Sequence, residues 1–216
     1  MKLQVSIDLL SLDRAMDMLK DVVPYIDIIE AGTPLIKQEG LKVIETFKQH
    51  FPNKLIFADM KTMDAGGLEA EMAFKAGADF TTVLAASSDG TIEGAIASAR
   101  KYNRYVTADM ISIRDPIKRA QELEGMGVNY LELHCGLDDQ ARHLCASTVD
   151  TLNSLRNVTS IALSAAGGIN ENTIQQVESA GADIAAVGAA IYSSPSPQEA
   201  ARRIREKMTK LSLGRG

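Results

Sequence analysis

The stretch Asp59-Met60-Lys61-Thr62-Met63-Asp64 closes an apolar run and places one ammonium between two carboxylates. In an extended segment residues two apart share a face, so Asp59 and Lys61 point the same way, with Asp64 just beyond in a loop. Flanking carboxylates keep such an ammonium charged and aim it at a developing oxyanion. Other apolar runs end in Asp8, Glu30, Asp109 and His134. Glu30 and Asp59 end neighbouring runs, and two carboxylates completed by waters and substrate oxygens suit Mg2+, a hard cation that retains several waters. The plainer reading of Asp59 is an ion pair with Lys61 alone. Any one of these residues fits a solvated strand end or a structural contact. Five runs each ending in an ionisable group fit that reading poorly, because crowded like charges destabilise a site that does no work.

Positioning these groups falls to a regular alternation of β-branched apolar runs with amphipathic segments rich in Ala, Glu, Lys and Leu. The runs cover 3–8, 26–32, 54–61, 80–86, 105–111, 130–136, 160–168 and 184–189. Eight units in 216 residues leave 27 per unit, close to the minimum for a strand, a helix and two loops. No linker or shift of composition divides the chain, so the expectation is an α/β protein, a single-domain (β/α)8 TIM barrel over residues 1–216, with the last few residues disordered. An open doubly wound sheet is the competitor. It loses support because Asp8-Leu9-Leu10-Ser11 follows the first run in place of a G-x-G-x-x-G fingerprint. Ala76-Gly77-Ala78-Asp79 recurs as Ala180-Gly181-Ala182-Asp183, each glycine falling where a helix should end in a left-handed C-cap.

Parity then sorts the strands. Leu3, Val5, Ile7, Val106, Ala108, Leu131 and Leu133 are expected to face the helices, while Gln4, Ser6, Asp8, Thr107, Asp109, Glu132 and His134 face the barrel axis. The last inward residues lie at the C-terminal mouth, where barrel active sites are built. On the far side of that mouth Gly167 and Gly168 end the seventh strand, and Gly188 and Ala189 end the eighth. Their backbone N–H groups offer a cradle for a phosphate, although glycine pairs also serve as plain tight turns.

Composition narrows the function class. A formal net charge of -5, from 23 Lys and Arg against 28 Asp and Glu, argues against nucleic-acid binding. Arg202, Arg203, Arg205 and Lys207 read as the solvated face of a last helix. No run reaches the roughly 18 to 20 apolar residues that span a bilayer. Asp8 interrupts the start before a secretory core develops. Cys135 and Cys145 fit neither a disulfide framework nor a zinc spacing, which points to free thiols in a cytoplasmic protein.

Asp59-Met60-Lys61-Thr62-Met63-Asp64-Ala65-Gly66-Gly67 resembles the third-strand signature of the orotidine 5'-monophosphate decarboxylase suprafamily. Leu3-Gln4-Val5-Ser6-Ile7-Asp8, Asp27-Ile28-Ile29-Glu30-Ala31-Gly32-Thr33-Pro34, Ala108-Asp109-Met110-Ile111 and Glu132-Leu133-His134 extend the likeness over nearly the whole chain, to the 3-hexulose-6-phosphate synthase family. Glu30 before Gly32-Thr33 resembles the metal-dependent branch. That branch also holds 3-keto-L-gulonate-6-phosphate decarboxylases, which share a pentulose-phosphate enediolate. The decarboxylase pattern carries Glu in the fifth strand, an Arg shortly after the sixth-strand His and an Arg after the eighth-strand Gly. Here those places read Asp109, Cys135-Gly136-Leu137-Asp138 and Ala189, so the synthase is favoured.

The resemblance implies a Mg2+-dependent, reversible aldol condensation of formaldehyde with D-ribulose 5-phosphate, giving D-arabino-hex-3-ulose 6-phosphate. It implies that Glu30 and Asp59 bind the metal and that Lys61 supports the oxyanion. Asp8 and Asp64 orient the ammonium and the substrate hydroxyls, Asp64 reaching the partner's site in a homodimer with shared active sites. His134, with a near-neutral pKa, moves the C1 proton; Asp109 completes the catalytic set. His50 and His143 fall in predicted helices and read as surface residues. Three alternatives stand beside this reading: a Schiff base on Lys61, a decarboxylase, and a non-catalytic sugar-phosphate-binding barrel.

Overall fold

The protein is described by a computed structural model over residues 1–212; the expected disorder of the last few residues lies outside the described residues. Eight parallel strands close into a barrel in sequence order: β1 (Lys2–Ile7), β2 (Ile28–Ala31), β3 (Leu55–Thr62), β4 (Phe80–Leu84), β5 (Tyr105–Asp109), β6 (Tyr130–His134), β7 (Ala162–Ala166) and β8 (Ile184–Val187), with β8 pairing back to β1. The helices are α1 (Leu12–Val22), α2 (Thr33–Glu39), α3 (Lys42–His50), α4 (Gly66–Lys75), α5 (Asp89–Tyr102), α6 (Pro116–Met126), α7 (Leu137–Ala141), α8 (Thr148–Arg156), α9 (Ile174–Ser179), α10 (Ala189–Tyr192) and α11 (Pro197–Ser212). The expected barrel is therefore the observed one. Every expected run becomes a strand, but most strands stop early because their last residues turn into the loops at the mouth.

Local chemistry explains where the helices start. Ser11 accepts from the Arg14 N–H at the head of α1, and Ser88 from the Thr91 N–H at the head of α5. Asp115 accepts from the Lys118 N–H, with Pro116 in the first turn of α6 where its missing N–H costs nothing. The basic run in α11 lies on a partly exposed face, as expected, and is also ion-paired there. Arg202 meets Glu199 and Glu206, Arg203 and Lys207 meet Glu171, and Arg205 meets Asp27.

The inward and outward parities hold. Leu3, Val5, Ile7, Val106, Ala108 and Leu131 are fully buried in the shell between strands and helices. Inside the barrel Ile28, Phe57, Phe80 and Ile184 fill the N-terminal end, where Phe57 stacks on Phe80 at 5.7 Å and Tyr130 meets Phe80 edge-on at 5.4 Å. This plug leaves the C-terminal half of the interior for polar groups.

The repeated Ala-Gly-Ala-Asp has a second cause beyond capping. Gly77 and Gly181 do adopt the left-handed conformation, with φ of 105° and 91°. The aspartate after each then reaches the preceding strand: Asp79 accepts from the Ile56 N–H at 2.9 Å and Asp183 from the Leu163 N–H at 2.8 Å. Asp27 does the same for Leu3 and Asn129 for Val106, both at 2.8 Å. Each residue immediately before an even-numbered strand thus ties the second residue of the preceding odd-numbered strand. Among the described residues no even-numbered strand receives such a tie.

Candidate active site

The mouth of the barrel opens into a cavity of about 730 Å³ whose walls include Asp8, Glu30, Asp59, Lys61, Glu132 and His134. Strand β3 is irregular where the chemistry is densest. Its pairing with β4 runs Phe57 to Phe80 and Ala58 to Thr81, then resumes only at Thr62 to Val83. The bulge puts Lys61 in the left-handed region, φ 46°, a conformation costing a non-glycine residue about 1–3 kcal/mol. The Thr82 hydroxyl takes the Lys61 N–H that the ladder no longer uses, at 2.8 Å. The result turns the Lys61 side chain across the barrel interior.

A continuous chain of charged groups follows. Lys61 Nζ lies 2.7 Å from Asp59 Oδ2 and 3.0 Å from Asp109 Oδ2, and His134 Nδ1 lies 2.9 Å from that same Asp109 oxygen. Asp59 also accepts from the Thr33 hydroxyl at 2.8 Å and, on Oδ1, from the Thr82 hydroxyl at 2.9 Å. Glu30 accepts from Gln4 Nε2 at 2.6 Å and from the Ser6 hydroxyl; Glu132 accepts from the Ser164 hydroxyl at 3.1 Å.

Burial makes this cluster electrostatically tense. Desolvation, then the charges of Asp59 and Glu132, pushes the Glu30 carboxyl well above its ordinary range. Burial and the Asp109 charge raise Glu132 to about 7, and burial with the Asp59 charge raises Asp8. Burial opposes the ammonium of Lys61, but Asp59 and Asp109 outweigh it and hold that group charged. Burial would likewise raise Asp109; its hydrogen bond and charge contacts with His134, and the Lys61 charge, hold it down instead. Five carboxylates, Asp8, Glu30, Asp59, Asp109 and Glu132, thus share the site with two cations, Lys61 and His134. Such an excess of hard oxygen donors, two of them on adjacent strands, fits a divalent cation.

The sequence assigns His134 a near-neutral pKa, and the structure corrects that value. Burial pulls the imidazolium down, yet the Asp109 hydrogen bond and the Asp109 and Glu132 charges raise it to about 9. A group whose pKa is raised on folding stabilises the fold fully below its unfolded value, about 6.5, and the gain is lost as pH rises through about 9. The melting temperature of the wild type is therefore expected to fall relative to His134→Asn between pH 6.5 and 9. Parallel Tm curves across that interval would disprove the pairing.

The expected residues divide into three groups. Asp8, Glu30, Asp59, Lys61, His134, Gly167, Gly168, Gly188 and Ala189 all border the cavity. Asp109 is fully buried beneath it and touches Lys61 and His134. Asp64 is exposed, outside the cavity walls, its carboxylate accepting from the Ala65 N–H. His50 and His143 are exposed as expected, although His143 sits in a turn after α7 and not in a helix. Thr33 and Thr82, which brace Asp59, are not among the expected site residues; inward parity marks Thr82, and Thr33 stands in the Glu30-to-Pro34 motif without a role assigned to it.

Gly167 and Gly168 both have positive φ, 97° and 70°, and a Cβ on Gly167 would stand 2.4 Å from the Cys135 carbonyl oxygen. The seventh-strand turn is thereby packed directly against the end of β6. The expectation of free thiols fails at this place, for Cys135 and Cys145 form a disulfide with Cα atoms 5.7 Å apart. The chain turns back after α7, with Leu144 N–H donating to the Asp139 carbonyl and His143 at φ 55°, which returns Cys145 to the barrel edge. Nothing in the spacing of the two cysteines announces that turn.

A family model for the Orotidine 5'-phosphate decarboxylase / HUMPS family matches residues 1–204. A 3-hexulose-6-phosphate synthase of Mycobacterium gastri is 47% identical over 205 residues, which cover 95% of this chain and 98% of that one. A crystal structure of a 3-hexulose-6-phosphate synthase superposes with a TM-score of 0.92 at 47% identity, covering 96% of this chain and 100% of that chain. A 3-keto-L-gulonate-6-phosphate decarboxylase of Vibrio cholerae superposes with a TM-score of 0.86 at 28% identity, over 97% of each chain.

Proposed function

Because the chain belongs to the Orotidine 5'-phosphate decarboxylase / HUMPS family and is an enzyme, a lyase of the synthase type, we propose that it joins formaldehyde to D-ribulose 5-phosphate, reversibly, to give D-arabino-hex-3-ulose 6-phosphate. The observation that carries this reading is the unbroken run Asp59, Lys61, Asp109, His134, in which buried Asp109 links the Lys61 and His134 that line a cavity Glu30 also faces. It supplies a fixed positive charge beside a proton carrier. Aldol chemistry on a ketose phosphate needs both.

Mg2+ held by Glu30 and Asp59 supplies, when bound, Lewis-acid stabilisation of the charge that develops on the substrate oxygens. Lys61 Nζ offers a hydrogen bond and a full charge to the same oxygens, and its two carboxylate contacts fix its direction. His134 exchanges the C1 proton: its neutral form takes the proton on the way to the hexulose, and its imidazolium returns it when the hexulose is cleaved. Asp109 holds Nδ1, which leaves Nε2 for the substrate. Asp8 orients substrate hydroxyls. Lys61 is the only Lys or Arg among the described residues lining the cavity, so the phosphate rests on the backbone N–H groups of Gly167, Gly168, Gly188 and Ala189.

A homodimer belongs to the same proposal. Exposed Asp64 lies beside exposed Met63 and near Leu68 and Met72 of α4, an apolar surface that a second copy would cover while Asp64 reaches the partner's site. We place the enzyme in the cytoplasm, as a protein without nucleic-acid or membrane partners; among the described residues no helix is long and apolar enough to cross a membrane.

The direct test is formaldehyde consumption with ribulose 5-phosphate. Turnover is expected to vanish in EDTA and return with Mg2+; a folded, Mg2+-loaded sample that consumes no formaldehyde overturns the reading. The absence of an arginine beside Gly188 favours the synthase over the decarboxylase. A higher kcat/KM for decarboxylation of 3-keto-L-gulonate 6-phosphate would reverse that order.

A further inference from the structure

The connection from β6 through α7 forms one wall of the cavity, and it is closed into a covalent ring. Cys135 directly follows His134, and Cys145 lies ten residues on. Between them Leu137, Asp138, Asp139 and Gln140 border the cavity. Gln140 Nε2 donates to the Cys135 carbonyl at 2.7 Å, the oxygen against which Gly167 is packed. The ring therefore leans on the turn assigned above to phosphate binding.

Residues 141–147 are all exposed. Their backbone bonds are local: Arg142 and Leu144 donate to the Asp139 carbonyl and His143 to that of Gln140. Among the described residues no hydrogen bond or ion pair ties 141–146 to any element other than α7. The disulfide is thus what fastens this segment to the barrel strand that carries His134. Segments with exposed backbone and few tertiary contacts open at little cost once untied.

We infer that Cys135 and Cys145 form a redox latch on the wall of the active site. Oxidation joins the two sulfurs and releases two protons and two electrons; a peroxide accepts them, its O–O bond breaking to give two waters. A small dithiol reverses the step by thiol–disulfide exchange and is itself oxidised to a disulfide. Cys145 is exposed, which gives both reagents access. In a reducing thiol pool the latch stands open, and an oxidant closes it. Closed, it holds α7 and Gln140 against the Gly167 turn. Open, it frees 141–146 and lets that wall move.

Arg142 lies inside the ring and is exposed, so trypsin reports the latch without any assay of turnover. Full-length protein treated with hydrogen peroxide, with dithiothreitol, or left as purified is digested briefly, and cleavage after Arg142 is followed by intact mass. The reduced form is expected to be cut at least tenfold faster. Oxidised protein that is cut should keep both fragments joined until reduced, and should take up no alkylating reagent at the two cysteines after denaturation. Cys145→Ser is expected to be cut at the fast rate in every condition. Equal rates in the oxidised and reduced wild type, or two alkylated thiols after peroxide, would overturn the inference. Because neither readout uses turnover, failure of the latch and failure of the proposed activity are told apart.

Discussion

Asp59→Ala is expected to lower kcat/KM for the condensation by at least about 10³-fold while the barrel remains folded. Three functions of one carboxylate fail together. It is a proposed Mg2+ ligand, it sets the Lys61 ammonium at 2.7 Å, and it anchors the Thr33 and Thr82 hydroxyls. Lewis-acid stabilisation alone contributes several kcal/mol to the barrier, and each 1.36 kcal/mol is about a factor of ten. Removing the carboxylate also removes one of the charges that push Glu30 up, so the effect on stability should be small beside the effect on turnover. Steady-state kinetics at several Mg2+ concentrations, with circular dichroism to verify the fold, provide the measurement. Residual activity within tenfold of wild type would show that Asp59 is only a structural partner of Lys61, and a variant that kept full affinity for sugar phosphate with no activity to lose would support a binding barrel.

The second large effect is expected at Lys61. Lys61→Ala strips the cation from between Asp59 and Asp109, both almost completely buried. Breaking a fully buried pair costs about 3–5 kcal/mol; the Lys61 side chain is 24% exposed, so a loss nearer 2–3 kcal/mol is expected in urea unfolding. Turnover should fall by about 10²–10³-fold, the usual cost of losing one donor to an oxyanion. The two losses are separable, since lowering the pH neutralises the stranded carboxylates and should restore stability without restoring catalysis. Borohydride added with substrate should leave the wild-type mass unchanged. A trapped adduct on Lys61 would instead mean Schiff-base chemistry, which the charged state of this ammonium opposes.

Much of this site is legible in the sequence because strand parity is a strict rule. Gln4, Ser6, Thr107, Asp109, Glu132 and His134 had to face inward once Leu3, Val5, Ile7, Val106, Ala108 and Leu131 faced the helices, and the structure places them so. Glu132 and Ser164, absent from the expected site, follow from the same alternation. What escapes the rule is whatever depends on neighbours distant in the chain. The bulge in β3, which turns Lys61 toward Asp109, arises from the register with β4. The elevated His134 pKa depends on how close Asp109 comes. The disulfide depends on a chain reversal after α7. The Ala-Gly-Ala-Asp echo is visible as letters, but its second purpose, the tie from each aspartate to a neighbouring strand, depends on the strand register.

Those ties make the eight seams of the cylinder unequal. The seams within β1–β2, β3–β4, β5–β6 and β7–β8 are each pinned by an Asp or Asn at their base, and among the described residues the alternate seams lack that Asp or Asn contact. Asp109 and His134 stand across a pinned seam, where a proton-carrying contact benefits from a separation that does not drift. Glu30 and Asp59 stand across the β2–β3 seam, whose base is bridged instead by Lys54 Nζ donating to the Ile26 carbonyl at 2.6 Å. The two carboxylates proposed to close on an ion thus flank a joint stitched by a lysine at one end and a threonine at the other, while the proton contact flanks one stitched by an asparagine.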